Sequence, residues 1–138
     1  INVAIPDARS DTALHCAMRL EDGHEVVGAL LWARAPLEAR NLEGDTALLV
    51  AAMEVKTCTV EALLHARAEA DGHNTTTGNT ALHMAASLGC LAIAELLLAA
   101  GANCERRNVG GETPFQHAAT KGYDKIARAM QRQGTEQA

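Results

Sequence analysis

Between Gly78 and Asn108, apolar and polar positions follow a helical rhythm that breaks at fixed places. Leu82, Ala85 and Ala86 fall at helical spacing and predict a short first helix with one buried stripe. Thr80 precedes it as an N-cap, where its hydroxyl can accept from a backbone N–H of the first turn. Gly89 predicts the helix end, because a residue without Cβ enters a left-handed turn without steric cost. A second helix is predicted from about Leu91 to Ala100, with Ile93, Leu96 and Leu97 on its apolar face and Gly101 as its stop. Ala102 to Asn108 then leads into a hairpin whose tip is Val109-Gly110.

The same pattern recurs along the chain. Thr12-Ala13-Leu14-His15, Thr46-Ala47-Leu48-Leu49, Thr80-Ala81-Leu82-His83 and Thr113-Pro114-Phe115-Gln116 each open a unit. The threonines are separated by 34, 34 and 33 residues (12 to 46, 46 to 80, 80 to 113). A fixed period in the thirties is the signature of a solenoid, in which each unit buries a face against its neighbours. Second-helix faces are predicted at Val26, Val27, Leu30 and Leu31, then at Val60, Leu63 and Leu64, and last at Ile126, Ala129 and Met130. The first unit carries one extra residue between its helices, at Glu21 to His24. The second carries one in its hairpin, between Asp71 and Thr77. Such insertions are thermodynamically cheap.

The chain resembles the ankyrin-repeat family. That family's unit is about 33 residues long and opens its first helix with a Thr-Pro-Leu-His-like motif. The third unit carries the resemblance most fully, from Gly78 to Gly89 and on through Ile93 to Asn103. The resemblance implies an all-α solenoid of stacked helix-turn-helix units joined by β-hairpin-like loops. The whole chain, 1–138, is then one repeat domain. Residues 1–11 form the tail of a preceding repeat, followed by repeats at 12–45, 46–79, 80–112 and 113–138. The last is a C-terminal cap, with Gln131 where Leu31, Leu64 and Leu98 stand in the others, and with polar residues after it. If helices are missing before residue 1, the apolar side of the first unit, including Leu14 and Val27, should be partly bare.

Departures from the family pattern bear on stability. The motif His ties neighbouring repeats together in that family. It is kept as His15 and His83 but replaced by Leu49 and Gln116, so the second unit is expected to rely more on packing. Arg34 and Arg67 replace the Gly that closes the second helix, forcing a residue with a Cβ into a left-handed turn. Glu38, Asp71 and Glu105 stand in place of a loop Asn. On these grounds the first two units are expected to be less stable than the third.

Composition narrows the function. Hydrophobic residues make up 48% of the chain but aromatics only 2%, so small side chains fill the apolar positions. Ala, with the best helix propensity, suits thin helices in close layers. The net charge of −5, with no basic stripe, disfavours nucleic acid as a partner. No apolar run reaches the roughly 18 residues of a membrane span. Four cysteines, Cys16, Cys58, Cys90 and Cys104, fall in separate units, which reads as reduced thiols in an intracellular protein rather than a disulfide framework.

No catalytic motif is present, and no cofactor or metal is expected. His15 beside Cys16 is not a nucleophile pair, because adjacent helical residues point in different directions. The histidines do not cluster, and Asp71 to Thr77 reads as a long hairpin tip rather than an ion site. Function is then expected at the surface, as a non-catalytic module that binds a protein partner these residues do not name. Two alternatives stand beside it: a structural subunit of a large assembly, or the regulatory segment of a larger enzyme or channel. The resemblance implies a concave surface of hairpin tips and exposed first-helix positions. On this chain the tips are Arg40, Leu42, Glu43 and Asp45, then His73, Thr75 and Asn79, then Arg107, Val109 and Glu112. The helix positions include Met53, Glu54, Ser87 and Leu88. Leu42, Met53, Leu88 and Val109 form either an apolar binding row or a shield over the layer beneath. Trp32 is either a hot spot on the outer side of the second helix or a cover over the first unit's longer loop.

Overall fold

Helix-forming stripes and threonine caps organise the chain into helix pairs, described here from a computed structural model for residues 13–17 and 23–137. The elements are α1 (Ala13–Ala17), α2 (Gly23–Trp32), α3 (Ala47–Met53), α4 (Thr57–His65), α5 (Ala81–Leu88), α6 (Leu91–Ala99), α7 (Pro114–Lys121) and α8 (Asp124–Gln137). The first helices α1, α3, α5 and α7 pack in succession as one layer, and α2, α4, α6 and α8 as a second. Within each pair the two helices also pack on each other. Among the described residues there is no strand, only an isolated antiparallel bridge between His73 and Thr80 at a hairpin neck. The architecture is an all-α solenoid, as the recurring pattern predicts.

The first-helix layer is built of alanines. Ala51, Ala52, Ala85, Ala86 and Ala118 are all fully buried, letting neighbouring helices approach closely. Leu63, Leu82, Ile93, Leu97, Ile126 and Met130 fill the space between the layers. Some expected stripes shift. Leu96 and Leu64 are only half-buried, and Ala94 and Leu98 take part in the core instead. Val26 is 43% exposed while Val27 is fully buried. Leu14 and Val27 are not bare: both are 0% exposed and belong to the same contiguous core as α3 and α4, which corrects the expectation of an open first face. The proposed tail at 1–11 lies outside the described residues.

Caps follow the threonines. The hydroxyls of Thr46, Thr80 and Thr113 accept from the N–H groups of Leu49, His83 and Gln116 at 3.4, 3.3 and 3.2 Å. In the third and fourth pairs the partner returns a bond: Thr80 N–H donates to His83 Nδ1 at 3.0 Å, and Thr113 N–H to Gln116 Oε1 at 2.8 Å. Leu49 has no acceptor to return, and its side chain is fully buried. The motif histidines bind the last residue of their own unit, just before the next threonine cap, with His15 Nε2 2.8 Å from the carbonyl of Asp45 and His83 Nε2 2.9 Å from that of Glu112.

Turn strain is unevenly spread. Gly89 and Gly122 close first helices at φ 72° and 80°, whereas Val55 takes the same place at φ 57°. Arg34 and Arg67 sit at φ 58° and 71° after the second helices, where Gly101 sits at 90°. All three strained residues lie in the first two units. A β-branched residue such as Val55 is a true outlier at positive φ.

Candidate interaction surface

Each of the three described hairpins is organised by an asparagine at its neck. Asn41 Oδ1 accepts from the N–H groups of Glu43 and Asp45 at 3.1 and 3.0 Å. Asn74 Oδ1 accepts from Thr76 and Thr77 at 2.7 and 2.8 Å. Asn108 Oδ1 accepts from Glu112 N–H at 2.9 Å. The asparagine-to-threonine-neck backbone bond spans Asn41 to Asp45, Asn74 to Asn79 and Asn108 to Glu112, so the second unit's extra residue lies in its hairpin. These asparagines were not singled out from sequence, although they recur at 41, 74 and 108 with nearly the spacing of the threonines.

The hairpins form a ladder. Asn74 Nδ2 donates to the Glu43 carbonyl at 2.8 Å and to Asp45 Oδ1 at 2.7 Å. Asn108 Nδ2 donates to Asn79 Oδ1 at 2.8 Å. Backbone bonds run beside them, from Thr75 N–H to the Gly44 carbonyl at 3.3 Å and from Val109 N–H to the Thr77 carbonyl at 2.9 Å. A second ladder runs behind the tips. Glu38 Oε1 accepts from Glu69 N–H at 2.9 Å and Asp71 Oδ1 from Asn103 N–H at 2.7 Å. Glu38 and Asp71 were read from sequence as weakening departures. Their carboxylates instead tie successive units, since charged acceptors make strong bonds to backbone N–H groups.

The predicted surface residues separate on this frame. Leu42 is 72% exposed and Val109 77%, both at tips; Leu88 is 49% exposed at the end of α5. Glu43, Glu54, Thr75, Arg107 and Glu112 are exposed as well. Arg40 is exposed but committed, donating to the Gly44 carbonyl at 3.0 Å and also to the carbonyl of His73. His73 is half-buried against Arg106, with Nδ1 2.9 Å from its guanidinium. Ser87 is half-buried, its hydroxyl 2.8 Å from His117 Nδ1. Three more of the expected surface positions are also not open to solvent. Asp45 is 3% exposed because its carboxylate faces Asn74, not solvent. Asn79 is half-buried and bonded to Asn108. Met53 is half-buried because its side chain packs on the core. Of the four apolar positions in the expected row, Leu42, Leu88 and Val109 are therefore the open ones.

Electrostatics mark two buried joints. Burial pushes the Asp45 carboxyl above its ordinary value; the Asn74 hydrogen bond opposes this, Glu43 adds to it, and His15 and Arg40 oppose it. Burial holds His83 below its ordinary value; the Glu112 carbonyl opposes this, and the neighbouring His117 adds to it. The His83 and His117 rings meet edge to face at 5.2 Å. Burial also raises the Cys104 thiol, whose sulfur lies 3.7 Å from the Met130 carbonyl. Among the described residues no group of His, Cys, Asp and Glu could hold a metal ion.

Trp32 is 91% exposed, so it covers nothing among the described residues. On α4 and α6 its counterparts are His65 and Ala99, both exposed. Those two residues, with Glu61, Leu64, Leu96 and Ala100, line a shallow groove between α4 and α6.

Stacked helix pairs, threonine caps and laddered hairpins define an ankyrin-type array. Comparison with known families agrees: a model of three ankyrin repeats matches residues 48–137, and a single ankyrin repeat matches residues 9–42. The chain belongs to the ankyrin-repeat family. It is 35% identical over 112 residues to the neurogenic locus notch homolog protein 1 of Xenopus tropicalis, covering 80% of this chain and 4% of that protein. It is 32% identical over 125 residues to a transient receptor potential cation channel subfamily A member 1 homolog of Caenorhabditis elegans, covering 90% of this chain and 10% of that one. The mouse nuclear factor NF-kappa-B p105 subunit is 29% identical over 140 residues, covering 98% of this chain and 14% of its own length. The chain thus spans a small part of each relative. Ankyrin repeats are in general protein–protein interaction modules and in general non-catalytic. Among the described residues, no helix is long and apolar enough to cross a membrane.

Proposed function

We propose that the chain holds a protein partner across its hairpin tips and the exposed ends of its first helices. The exposed leucines and valine at positions 42, 88 and 109, rimmed by charge, carry the reading. Glu43, Glu54, Arg107 and Glu112 supply that rim. A fixed asparagine ladder holds the backbone of the tips that carry Leu42 and Val109, which lowers the ordering cost of binding there. The channel homolog and the p105 subunit among the relatives favour the second reading, that the module serves a larger protein.

Affinity capture tests the surface. Wild-type protein is used as bait beside a Leu42→Glu/Leu88→Glu double variant. Both side chains are exposed, so the variant should fold normally. It should retain at least tenfold less partner, which corresponds to about 1.4 kcal/mol. Trp32→Ala is the control for the outer helices. Full retention by the double variant together with loss in Trp32→Ala would move the site to the α2 face.

A further inference from the structure

The hairpin at 107–112 repeats the one at 40–45 in its Arg, Asn and Gly, with Glu112 in place of Asp45. Arg107, Gly111 and Glu112 stand 67 residues after Arg40, Gly44 and Asp45. In the hairpin at 40–45 those three groups grip three consecutive residues of the following unit. Arg40 donates to the carbonyl of His73. Asp45 Oδ1 accepts from the side-chain amide of Asn74 at 2.7 Å. The Gly44 carbonyl accepts from Thr75 N–H at 3.3 Å. The approach is so close that a Cβ on Gly44 would meet Thr75 Oγ1 at 2.1 Å. The structure therefore displays what this arrangement binds: an Asn, the carbonyl before it and the N–H after it.

In the hairpin at 107–112 the corresponding groups are present and, among the described residues, the edge is open. Arg107 donates to the Gly111 carbonyl at 2.7 Å, as Arg40 does to that of Gly44 at 3.0 Å. Gly111 has φ 79°, and nothing described lies within 4 Å of where its Cβ would stand. The Glu112 side chain is 58% exposed, with Oε2 3.6 Å from His117 Nε2. Its other oxygen turns to the tip, 3.3 Å from the Cβ position of Gly110. Helix α8 explains why the described chain does not close this edge itself. It runs on through Gly134, the counterpart of Gly101, where α6 has ended and the chain turns back toward the next hairpin.

We propose that this edge docks an extended segment of a partner protein centred on an asparagine. Arg107 takes the carbonyl preceding that asparagine, Glu112 takes its side-chain amide, and the Gly111 carbonyl takes the following N–H. The charges fit such a segment: a guanidinium meets a carbonyl and a carboxylate meets an amide, and charge-assisted bonds of both kinds are strong. The proposal rests on the reading of the hairpin tips as the binding face, and narrows it to one position and one chemistry.

The chain itself provides the probe. A backbone-cyclised peptide of residues 73–79 is titrated into nitrogen-15-labelled protein and followed by NMR. Saturable shifts should concentrate at the backbone amides of residues 109–112 and at the Arg107 side chain. Replacing Asn74 by Ala in the peptide should weaken binding roughly tenfold. Arg107→Ala and Glu112→Lys in the protein should do the same while helical circular dichroism is unchanged, since both side chains are exposed. Shifts that are absent, or that do not depend on Asn74, overturn the proposal. Shifts at the same residues that grow with protein concentration before any peptide is added would make a second copy the occupant, and overturn it too. The capture experiment above leaves Arg107 and Glu112 untouched. Partner loss in Leu42→Glu/Leu88→Glu with a silent edge therefore removes this inference alone.

Discussion

In the third helix pair a buried histidine completes its own helix cap and binds the hairpin neck that leads into the fourth pair; in the second, a leucine fills the same place. His83 takes the Thr80 N–H on one ring nitrogen and meets the Glu112 carbonyl with the other. Leu49 gives only packing. The turns differ in the same sense. Gly89 and Gly101 close the third pair without strain, while Val55 and Arg67 hold left-handed turns in the second. One architecture is thus kept by different balances: polar joints with relaxed turns, or an apolar joint with strained ones. The second pair recovers some ground elsewhere, since Asp71 ties it to the next unit.

Truncating the core should break this comparison most severely. Leu63 and Leu97 are counterparts, both fully buried. Either Leu→Ala change should cost about 2–5 kcal/mol in urea denaturation. If the second pair depends more on packing, Leu63→Ala lies toward the upper end. Equal losses would show that the polar joint of the third pair adds little.

Relieving strain should narrow the gap. Val55 is 48% exposed, so Val55→Gly gives up little contact while relaxing its turn. It should raise stability by about 1–2 kcal/mol. The reverse change, Gly89→Val, should lose more than that, because a Cβ at Gly89 would also meet the Tyr123 ring at 2.7 Å. Thermal midpoints of the two variants test the pair.

Acid should weaken the third joint. The His83 value in the fold lies below its ordinary 6.5, so the unfolded chain takes up the proton first. This contribution is complete above about pH 6.5 and is lost as pH falls toward the lowered value. A proton on Nδ1 would also displace the bond from Thr80 N–H. His83→Gln should flatten the pH slope of stability between pH 7.5 and 5, because Gln116 shows that glutamine can complete the same cap. A slope unchanged in that variant would place the sensitivity elsewhere.

The smallest effect is expected at Asp45. Its carboxyl is raised, so the fold binds its proton more readily than the unfolded chain does. Its contribution is therefore most favourable in acid and declines as pH rises from the ordinary 3.8 through the raised value. Asn79 accepts from Asn108 with the same geometry and without a charge. Asp45→Asn should accordingly stabilise the protein at pH 7 by up to about 1 kcal/mol, with the gain vanishing near pH 3.

The fold was legible because its signals are local and repeated: threonine caps, alanine stripes and closing glycines each carry their own physical reason. Arg34 and Arg67 were legible for the same reason, as cap positions lacking glycine. Val55 was not, because Met53-Glu54-Val55-Lys56 has no glycine to mark where the turn falls. The surface was legible only in outline. Position in the unit told which residues lie at tips, and Leu42 and Val109 are indeed exposed there. It did not tell that Asp45 and Asn79 turn inward, because that depends on asparagines in the following hairpin, some thirty residues on. Glu38 and Asp71 were misjudged likewise: judged within one unit they depart from a pattern, whereas their partners lie in the next.

Trp32 has a consequence for optics. It is the chain's one tryptophan, and its indole already stands in water in the folded state. Its emission should therefore lie near that of free indole and scarcely move when the protein unfolds. Fluorescence of this kind would report a fully melted sample and a native one as nearly the same, so melting has to be read from helical ellipticity. The same indole becomes a sensitive lamp for one event only. A blue shift would mean that something has settled on the α2 face, and a ligand held at the hairpin tips would leave the light unchanged.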